Sequence, residues 1–332
     1  IEVEQEAAGS GVAVTGVRLR SGPVRRARWY VDASGHRSRL LGRALDLEVR
    51  LLGDERVALH RRLAVRPGAD VTRLLFSANR DRRMTWAWVL PIGSHRMSVG
   101  VVVPAAELRA ARAADQSPEQ VFDDFIAAFD GVAALVGEKA AGDGPVRSRA
   151  FTPFAHDRTS GHNWVLVGDA AALLDPVTSS GVAIGLHSAF AASRLVDHAL
   201  SGSPAVASDR WAHHHLTVRT TTVINQVVDR VLHRRGLRSL IGTRLAAFVY
   251  AITNVLVNAW YTRLRPASGP RIVLHGGLLS AARNLSRLAL ALDLARRAVD
   301  GFSRARSTRS DAEEGSPLPW ASAARPTASR SG

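Results

Sequence analysis

The segment NWVLVGDAAALLDPVTSSGVAIGLHSA, residues 163–189, is the feature that most constrains the fold of this chain. It starts with the short apolar run WVLV, which is typical of a strand buried in a parallel sheet. Gly168 and Asp169 follow the strand, and a loop containing Pro176 leads into helical sequence at Gly181. The segment therefore predicts a strand, a tight turn and a helix, which is an α/β arrangement.

The turn and the helix start are suited to binding a ligand. Ligands of open α/β sheets lie at the carboxyl ends of strands, where Asp169 offers acceptor oxygens for ribose or ribityl hydroxyls. Ser179, Ser180 and Gly181 lead into the helix, whose first amides have no partner within the helix and favour an anion or an electron-rich ring edge. Small residues recur along one helix face, at Gly181, Gly185, Ser188 and Ala192. This face predicts that something packs closely against it.

Most of the chain before this segment is strand-like. Residues 1–33 alternate and turn, with a strand expected to end at Gly35, and residues 47–103 contain further apolar runs separated by Gly, Pro, Asp and Asn. These runs, from LEVRLL onward, predict a twisted antiparallel sheet. The sequence SPEQVFDDFIAAF then begins with Ser117 and Gln120 in a capping-box pattern, which predicts a helix.

Composition excludes several classes of function. The formal net charge of +15 raises the question of an acidic partner, but the arginines are scattered and are not interleaved with aromatic residues, so no nucleic-acid partner is predicted. The absence of cysteine excludes disulfides and thiol chemistry and fits a cytoplasmic protein. The adjacent histidines 213–215 point away from one another on a helix, so no metal site is predicted there.

The apolar sequence LAAFVYAITNVLVNAWYT, residues 245–262, carries no formal charge and could be interpreted as a membrane span. Its Thr and Asn residues favour instead a buried or groove-lining helix, with docking to a membrane or an apolar carrier as the alternative. Its aromatic residues suggest a hydrophobic aromatic substrate, free or tethered to a carrier protein: Phe248, Tyr250, Trp260 and Tyr261. Helical sequence continues to about residue 302, and residues 303–332 predict a disordered tail.

Three motifs resemble those of a known enzyme superfamily. VGDAAALLDPVTSSGVAIGLHSA resembles the second flavin motif of FAD-dependent monooxygenases and halogenases, and WYVDASGHRSRLLGR resembles the strand and turn that precede their substrate sheet. TWAWVLP, with Trp86, Trp88, Leu90 and Pro91, is similar to the WxWxIP signature of flavin-dependent halogenases, with Leu in place of Ile. Residues two apart on a strand face the same way, so the two tryptophans form one wall, either of ordinary sheet core or beside a flavin.

The resemblance, to the tryptophan-halogenase-like branch, implies a fold and a site. The fold is an incomplete FAD/NAD(P)-binding Rossmann-like domain of the PHBH type, with an antiparallel β-sheet substrate domain and a helical C-terminal region. The implied cofactor-binding residues are Asp32, Gly35, Gly168, Asp169, Pro176, Gly181 and Val182. Ser180 and Gly181 would bind the halide, and Trp86 and Trp88 would form the wall at the flavin and the substrate.

The chemistry implied by the resemblance begins with FAD reduced by a separate flavin reductase. Reaction with oxygen then oxidises chloride or bromide to a hypohalous acid, which attacks an electron-rich carbon. Alternatives stay open: an aromatic hydroxylase or prenyl-chain reductase of the same superfamily, favoured if Trp86 and Trp88 lie away from the flavin, or an inactive relic that binds a partner.

Two parts of the family pattern are missing from the sequence. The GxGxxG unit that binds pyrophosphate is not found, because residues 9–16, GSGVAVTG, lack the third glycine and lie in strand-like sequence. Tryptophan-type halogenases also rely on a lysine. The candidate here is Lys139, which lies in no matching motif, so we expect it to have a surface role. We therefore expect an N-terminally truncated enzyme. The expected units are a remnant of the FAD-binding domain at 1–46, the antiparallel sheet with one helix at 47–150, the second FAD-binding segment at 151–200, a helical region at 201–302 and the tail at 303–332.

Overall fold

The structure, a computed structural model, describes residues 1–230 apart from 10, 20–21, 65–72, 79–83, 93–95, 128, 130–131 and 133–141. The predicted helical sequence beyond residue 230 and the predicted tail lie outside the described residues. So do Lys139 and the four aromatic residues of the apolar segment, Phe248, Tyr250, Trp260 and Tyr261.

The chain begins with a three-stranded antiparallel meander of β1 (Glu2–Ala8), β2 (Gly11–Arg18) and β3 (Val24–Arg25). Ala8 and Gly11 are cross-strand partners, and Gly9 between them has a φ of 60°, which glycine adopts readily. The glycine-rich stretch is therefore a hairpin. This confirms that it is not the strand-to-helix turn of a pyrophosphate site.

Two parallel strands position the turns of the predicted site. β4 (Tyr30–Asp32) pairs in parallel with β12 (Trp164–Leu166), and every residue of β12 is buried, as the WVLV run predicts. β4 ends at Asp32, earlier than the expected end at Gly35, because the Asp32 side chain binds the following turn. Two short helices come next, α1 (Gly35–Ser38) and α2 (Leu40–Ala44).

Residues 56–151 contribute the strands of one antiparallel sheet, which confirms the predicted sheet. Its five strands, in spatial order, are β10 (Gly142–Phe151), β6 (Arg56–Ala64), β9 (Arg96–Pro104), β8 (Met84–Pro91) and β7 (Arg73–Ala78). On one face, Ala87 and Val89 of β8 pack in the core with Phe122 and Leu108. These two residues come from the helices α4 (Pro118–Ala127) and α3 (Ala105–Ala113).

The start of α4 confirms the predicted capping box. The Ser117 amide donates to Gln120 Oε1 at 2.8 Å, and the Gln120 amide donates to Ser117 Oγ at 3.2 Å. Both donors are among the amides that a helix start leaves without a partner in the helix. The cap therefore fixes where the helix covering the sheet begins.

The expected place of LEVRLL in the large antiparallel sheet is wrong. β5 (Val49–Leu51) pairs with β11 (Phe154–His156), which in turn pairs with β13 (Ala172–Leu173). Directly after β5, the Leu52 amide donates to the Pro153 carbonyl at 2.8 Å. This bond keeps the chain beside the segment that leads into β11, so β5 and β6 belong to different sheets. This small sheet connects the large one to the segment that follows β12.

Helices dominate from Gly181 to the end of the described residues, as the sequence predicts. They are α5 (Gly181–Leu200), α6 (Val206–His214), a π-helical turn (His215–Arg219) and α7 (Thr220–Val228). Ile224 and Val228 of α7 pack with Trp86 on the second face of the large sheet. None of the helices in the described residues has the length and apolar character of a membrane span.

Candidate functional site

The turn after β4 is built around the Asp32 carboxylate. Asp32 is buried, its Oδ1 accepts the Ser34 amide at 2.9 Å, and its Oδ2 accepts the Leu41 amide at 2.7 Å. Gly35 lies within this turn at a φ of 78°. Because both Asp32 oxygens bind the chain's own amides, Asp32 would contribute to cofactor binding by shaping the turn, and its direct contact stays a prediction.

The turn after β12 packs directly on α5. Gly168 has a φ of 59°, and its amide donates to Ser188 Oγ at 2.7 Å. A Cβ added at Gly168 would lie 3.5 Å from the Gly185 Cα. Ala192 packs one turn further along the helix against Val165. The predicted close approach to the small-residue face is confirmed, and what packs there is the turn and strand of the chain itself.

The two turns meet at Asp169 and His36. The Asp169 side chain is 42% exposed, and its Oδ2 lies 3.7 Å from His36 Nδ1. Asp169 therefore stands at the carboxyl ends of β4 and β12 with acceptor oxygens open to solvent. This is the position at which open α/β sheets bind ligands.

The loop before α5 turns sharply at its end. Pro176 begins a 3-10 turn, and Ser179 has a φ of 53°, a left-handed conformation that is strained for a residue other than glycine. Ser180 is buried, whereas a Cβ added at Gly181 would meet nothing within 4 Å. The Val182 side chain is 77% exposed. Of the predicted halide residues, Gly181 thus borders open space and Ser180 faces the protein interior.

A buried amide of α7 fixes the start of this loop. The Asp175 amide donates to Asn225 Oδ1 at 2.8 Å, and Asn225 Nδ2 donates to the Leu173 carbonyl at 3.1 Å. Asp175 Oδ1 accepts the Val177 amide at 3.0 Å. Nearby, burial lowers the pKa of Arg56, an effect opposed chiefly by the charge of Asp175. The sequence does not single out Asn225. The only local sign of its role is that an asparagine, a residue of modest helix propensity, lies within a helix.

The tryptophan pair faces the loop, which confirms that both indoles lie on one face of β8. The Trp86 and Trp88 rings are 5.6 Å apart at 45°. Trp86 is 3% exposed and packs with Val177 and Ile184, so it supports the back of the loop. Trp88 lies over Gly100, where an added Cβ would come within 2.2 Å of its Cζ2. A catalytic role for either indole stays a prediction.

The three adjacent histidines occupy different surroundings. His213 is fully buried near Thr159, and desolvation lowers its pKa to about 4. His215 stacks on Trp211 with ring centroids 5.2 Å apart, and burial lowers its pKa to about 4 as well. Across the described part of the chain, no group of three or more His, Asp or Glu residues is placed to hold a metal ion.

The described residues fit a flavin in two places. The open Asp169 carboxylate can accept hydrogen bonds from ribityl hydroxyls, and the start of α5 at Gly181 offers backbone donors beside open space. The hydrogen bond between Gly168 and Ser188 joins these places into one unit. The donor and acceptor set therefore suits a polyol chain attached to an electron-rich ring.

Comparison with known proteins agrees with this geometry. A family model described as tryptophan halogenase matches residues 1–213. This chain belongs to the tryptophan halogenase family. It is 31% identical to a tryptophan 2-halogenase of Chondromyces crocatus over 123 residues, which are 37% of this chain and 23% of the relative. It is 29% identical to the 1H-pyrrole-2-carbonyl-[peptidyl-carrier protein] chlorinase of Pseudomonas fluorescens over 202 residues, 58% of this chain and 43% of the relative.

The chain thus spans less than half the length of these two relatives. Among solved structures, it resembles a triple mutant of the flavin-dependent brominase Bmp2 with a TM-score of 0.63 and 16% identity, over 85% of this chain and 70% of the brominase. At this identity the likeness shows the fold. It confirms the predicted fold, a Rossmann-like domain with an antiparallel sheet.

Proposed function

We propose that this chain takes part in flavin-dependent halogenation, in which FAD, oxygen and chloride or bromide modify an electron-rich aromatic substrate. The observation that carries the proposal is the placement of the open Asp169 carboxylate and the start of α5 in one unit, at the ends of two parallel strands. Reduced flavin, when bound, would supply the reaction with oxygen that oxidises the halide.

Residues of the chain would bind the cofactor and the halide and hold the loop between them. Asp169 would bind the ribityl hydroxyls, and the amide of Gly181 would lie at the ring edge and the halide, where the positive end of the helix dipole favours negative charge. Pro176 and the left-handed Ser179 set the path of the loop. Trp86, packed on Val177, would keep the loop in place from behind and exclude water from that side.

The orientation of the tryptophan pair supports a halogenase over the alternatives. An aromatic hydroxylase or a prenyl-chain reductase would be favoured if Trp86 and Trp88 were buried on the side away from the flavin loop. Trp86 instead contacts Val177 and Ile184, which belong to the loop and to α5. We therefore favour halogenation over hydroxylation or reduction as the reaction.

The substrate class and the reductase are part of the same proposal. The Pseudomonas fluorescens relative is named as a chlorinase of a pyrrole-carbonyl group on a peptidyl-carrier protein. We therefore include an aromatic group tethered to a carrier protein beside a free aromatic molecule. A separate flavin reductase would deliver reduced FAD.

Titration of the 332-residue chain with FAD, followed by flavin fluorescence, tests the site. We expect Asp169→Ala to weaken FAD binding about tenfold, because a charge-assisted hydrogen bond to a hydroxyl is lost. Asp197→Ala is the matched control, since Asp197 is an exposed carboxylate of α5 far from the turn. Equal weakening by both substitutions would contradict the assignment of Asp169.

Product analysis tests the reaction. The enzyme completed with the expected N-terminal part is supplied with FAD, a flavin reductase, oxygen and either bromide or chloride, and with phenol, pyrrole and indole as substrates. We expect halogenated product that depends on halide and that falls in Asp169→Ala but not in Asp197→Ala. Hydroxylated product without halide would instead support the hydroxylase.

A further inference from the structure

A pocket of about 290 Å³ adjoins His36 and lies between the turn after β4 and the two sheets. Its lining includes Arg39, Phe151, Phe154, Leu173 and Ala150. We call it the Arg39 pocket. Most of its wall is apolar or aromatic, and Arg39 and His36 add positively charged or polar groups.

The backbone of Arg39 adopts an unfavourable conformation. It lies between α1 and α2 with a φ of 43°, in the left-handed region that residues with a side chain rarely adopt. Strained backbone of this kind concentrates at ligand-binding sites. The guanidinium carbon of Arg39 lies 4.8 Å from the centre of the Phe154 ring, so one face of the group stacks on the ring. Stacking leaves the edge of the guanidinium, with its donors, for another partner.

Among the described residues, no carboxylate forms an ion pair with the Arg39 guanidinium. Its Nε is buried and makes no hydrogen bond there. Burial lowers the pKa of Arg39, and the neighbouring charge of Arg43 lowers it further. The one carboxylate of the lining, Glu55, already pairs with Arg109 at 2.9 Å. An anion from outside the chain would stabilise a partly buried cation in this position.

We propose that the Arg39 pocket binds a small planar aromatic carboxylate, with the carboxylate on the Arg39 guanidinium and the ring against Phe151, Phe154 and Leu173. A bare inorganic anion would leave these apolar walls in contact with water, whereas a ring covers them. The volume accommodates one or two fused rings. The proposal does not use the flavin or the halide, so it can fail while the proposed halogenation stands.

Binding of 2-naphthoate to the full chain, measured by its fluorescence and by calorimetry, tests the proposal. We expect 2-naphthoate to bind at least about tenfold more tightly than the neutral 2-naphthamide, because only the acid forms a charge-assisted pair. We expect Arg39→Gln to remove this preference. Arg43→Gln, which removes an exposed charge one helical turn away, should keep it. Equal binding of acid and amide by the unaltered chain would overturn the proposal.

A second variant probes the pocket without touching Arg39. Ala150 is an exposed residue of β10 that lines the pocket, so Ala150→Phe should fill the pocket and leave the fold intact. We expect this variant to lose 2-naphthoate binding about tenfold or more while its melting temperature stays near that of the unaltered chain. Unchanged binding would place the acid elsewhere and refute the proposal.

Competition with FAD separates this pocket from the flavin site. We expect saturating FAD to leave the affinity for 2-naphthoate within a factor of about two. Stoichiometric displacement of 2-naphthoate by FAD would mean that the pocket belongs to the cofactor, and the proposal would be wrong.

Discussion

Replacing Asn225 tests what fixes the loop in front of α5. In the structure, its side-chain amide accepts from the Asp175 amide at 2.8 Å and donates to the Leu173 carbonyl at 3.1 Å, and the residue is 2% exposed. Asn225→Leu keeps the branched arrangement and the number of side-chain heavy atoms, is somewhat bulkier, and removes both hydrogen bonds. Two buried backbone groups are then left without partners, at about 1–3 kcal/mol each.

Asn225→Ala removes the same bonds but opens space. A cavity of about 20 Å³ already borders Asn225 and Asp175, and the missing amide enlarges it enough for a water that can serve both backbone groups. We therefore expect a loss of about 1–2 kcal/mol for Asn225→Ala and about 2–4 kcal/mol for Asn225→Leu. The larger, more apolar side chain should be the worse replacement, which is the reverse of the order expected from apolar packing.

Urea denaturation gives the free energy of unfolding for both variants. The two values can be compared directly when the free energy falls with urea concentration at the same slope in both. Gln226→Ala is the matched control, because Gln226 is the next residue of α7 and its buried Oε1 has no hydrogen-bond partner in the described residues. We expect it to change stability by less than about 0.5 kcal/mol. An Asn225→Leu variant as stable as Asn225→Ala would refute the reasoning. Weaker FAD binding by both Asn225 variants at a temperature where they are folded would link the loop to the site.

Two further outcomes follow from packing and burial. Gly100→Ala should lower the free energy of unfolding by about 1–3 kcal/mol and shift the tryptophan emission, because the new methyl group would overlap the Trp88 ring, whereas Gly181→Ala, which enters open space, should shift neither. Burial holds the pKa of His213 at about 4 instead of 6.5. The unfolded chain then binds more protons below pH 6.5, so stability should fall between pH 6.5 and 4 by up to about 3 kcal/mol. Chemical denaturation across this pH range should show a shallower fall for His213→Gln than for the unaltered chain.

Local patterns predicted much of the fold and the site. The WVLV run, the capping box at Ser117 and the shared face of Trp86 and Trp88 are all confirmed, because each depends on the period of a strand or on the unpaired amides of a helix start. The small-residue face of α5 predicted a close approach correctly. It did not reveal that the Gly168 turn of the chain itself fills that space.

Partners distant in sequence were not predictable. β5 pairs with β11 across about a hundred residues, and Asn225 binds backbone groups some fifty residues earlier. No periodicity encodes such contacts, since they depend on how the two sheets and α7 come together. Arg39 was missed for the same reason, because its pocket exists only when Phe151 and Phe154 are brought beside it.

The hydrogen bond from the Gly168 amide to Ser188 has a consequence for how this site can bind. It ties the carboxylate-bearing turn to the helix whose first amides lie opposite, so the acceptor and the donors cannot drift apart when no ligand is present. The site is thereby preorganised, and a ligand that spans both ends loses little conformational freedom of the protein on binding. A substitution such as Ser188→Ala should then weaken binding mainly through entropy, with the ligand's own contacts unchanged, and calorimetry can separate the two.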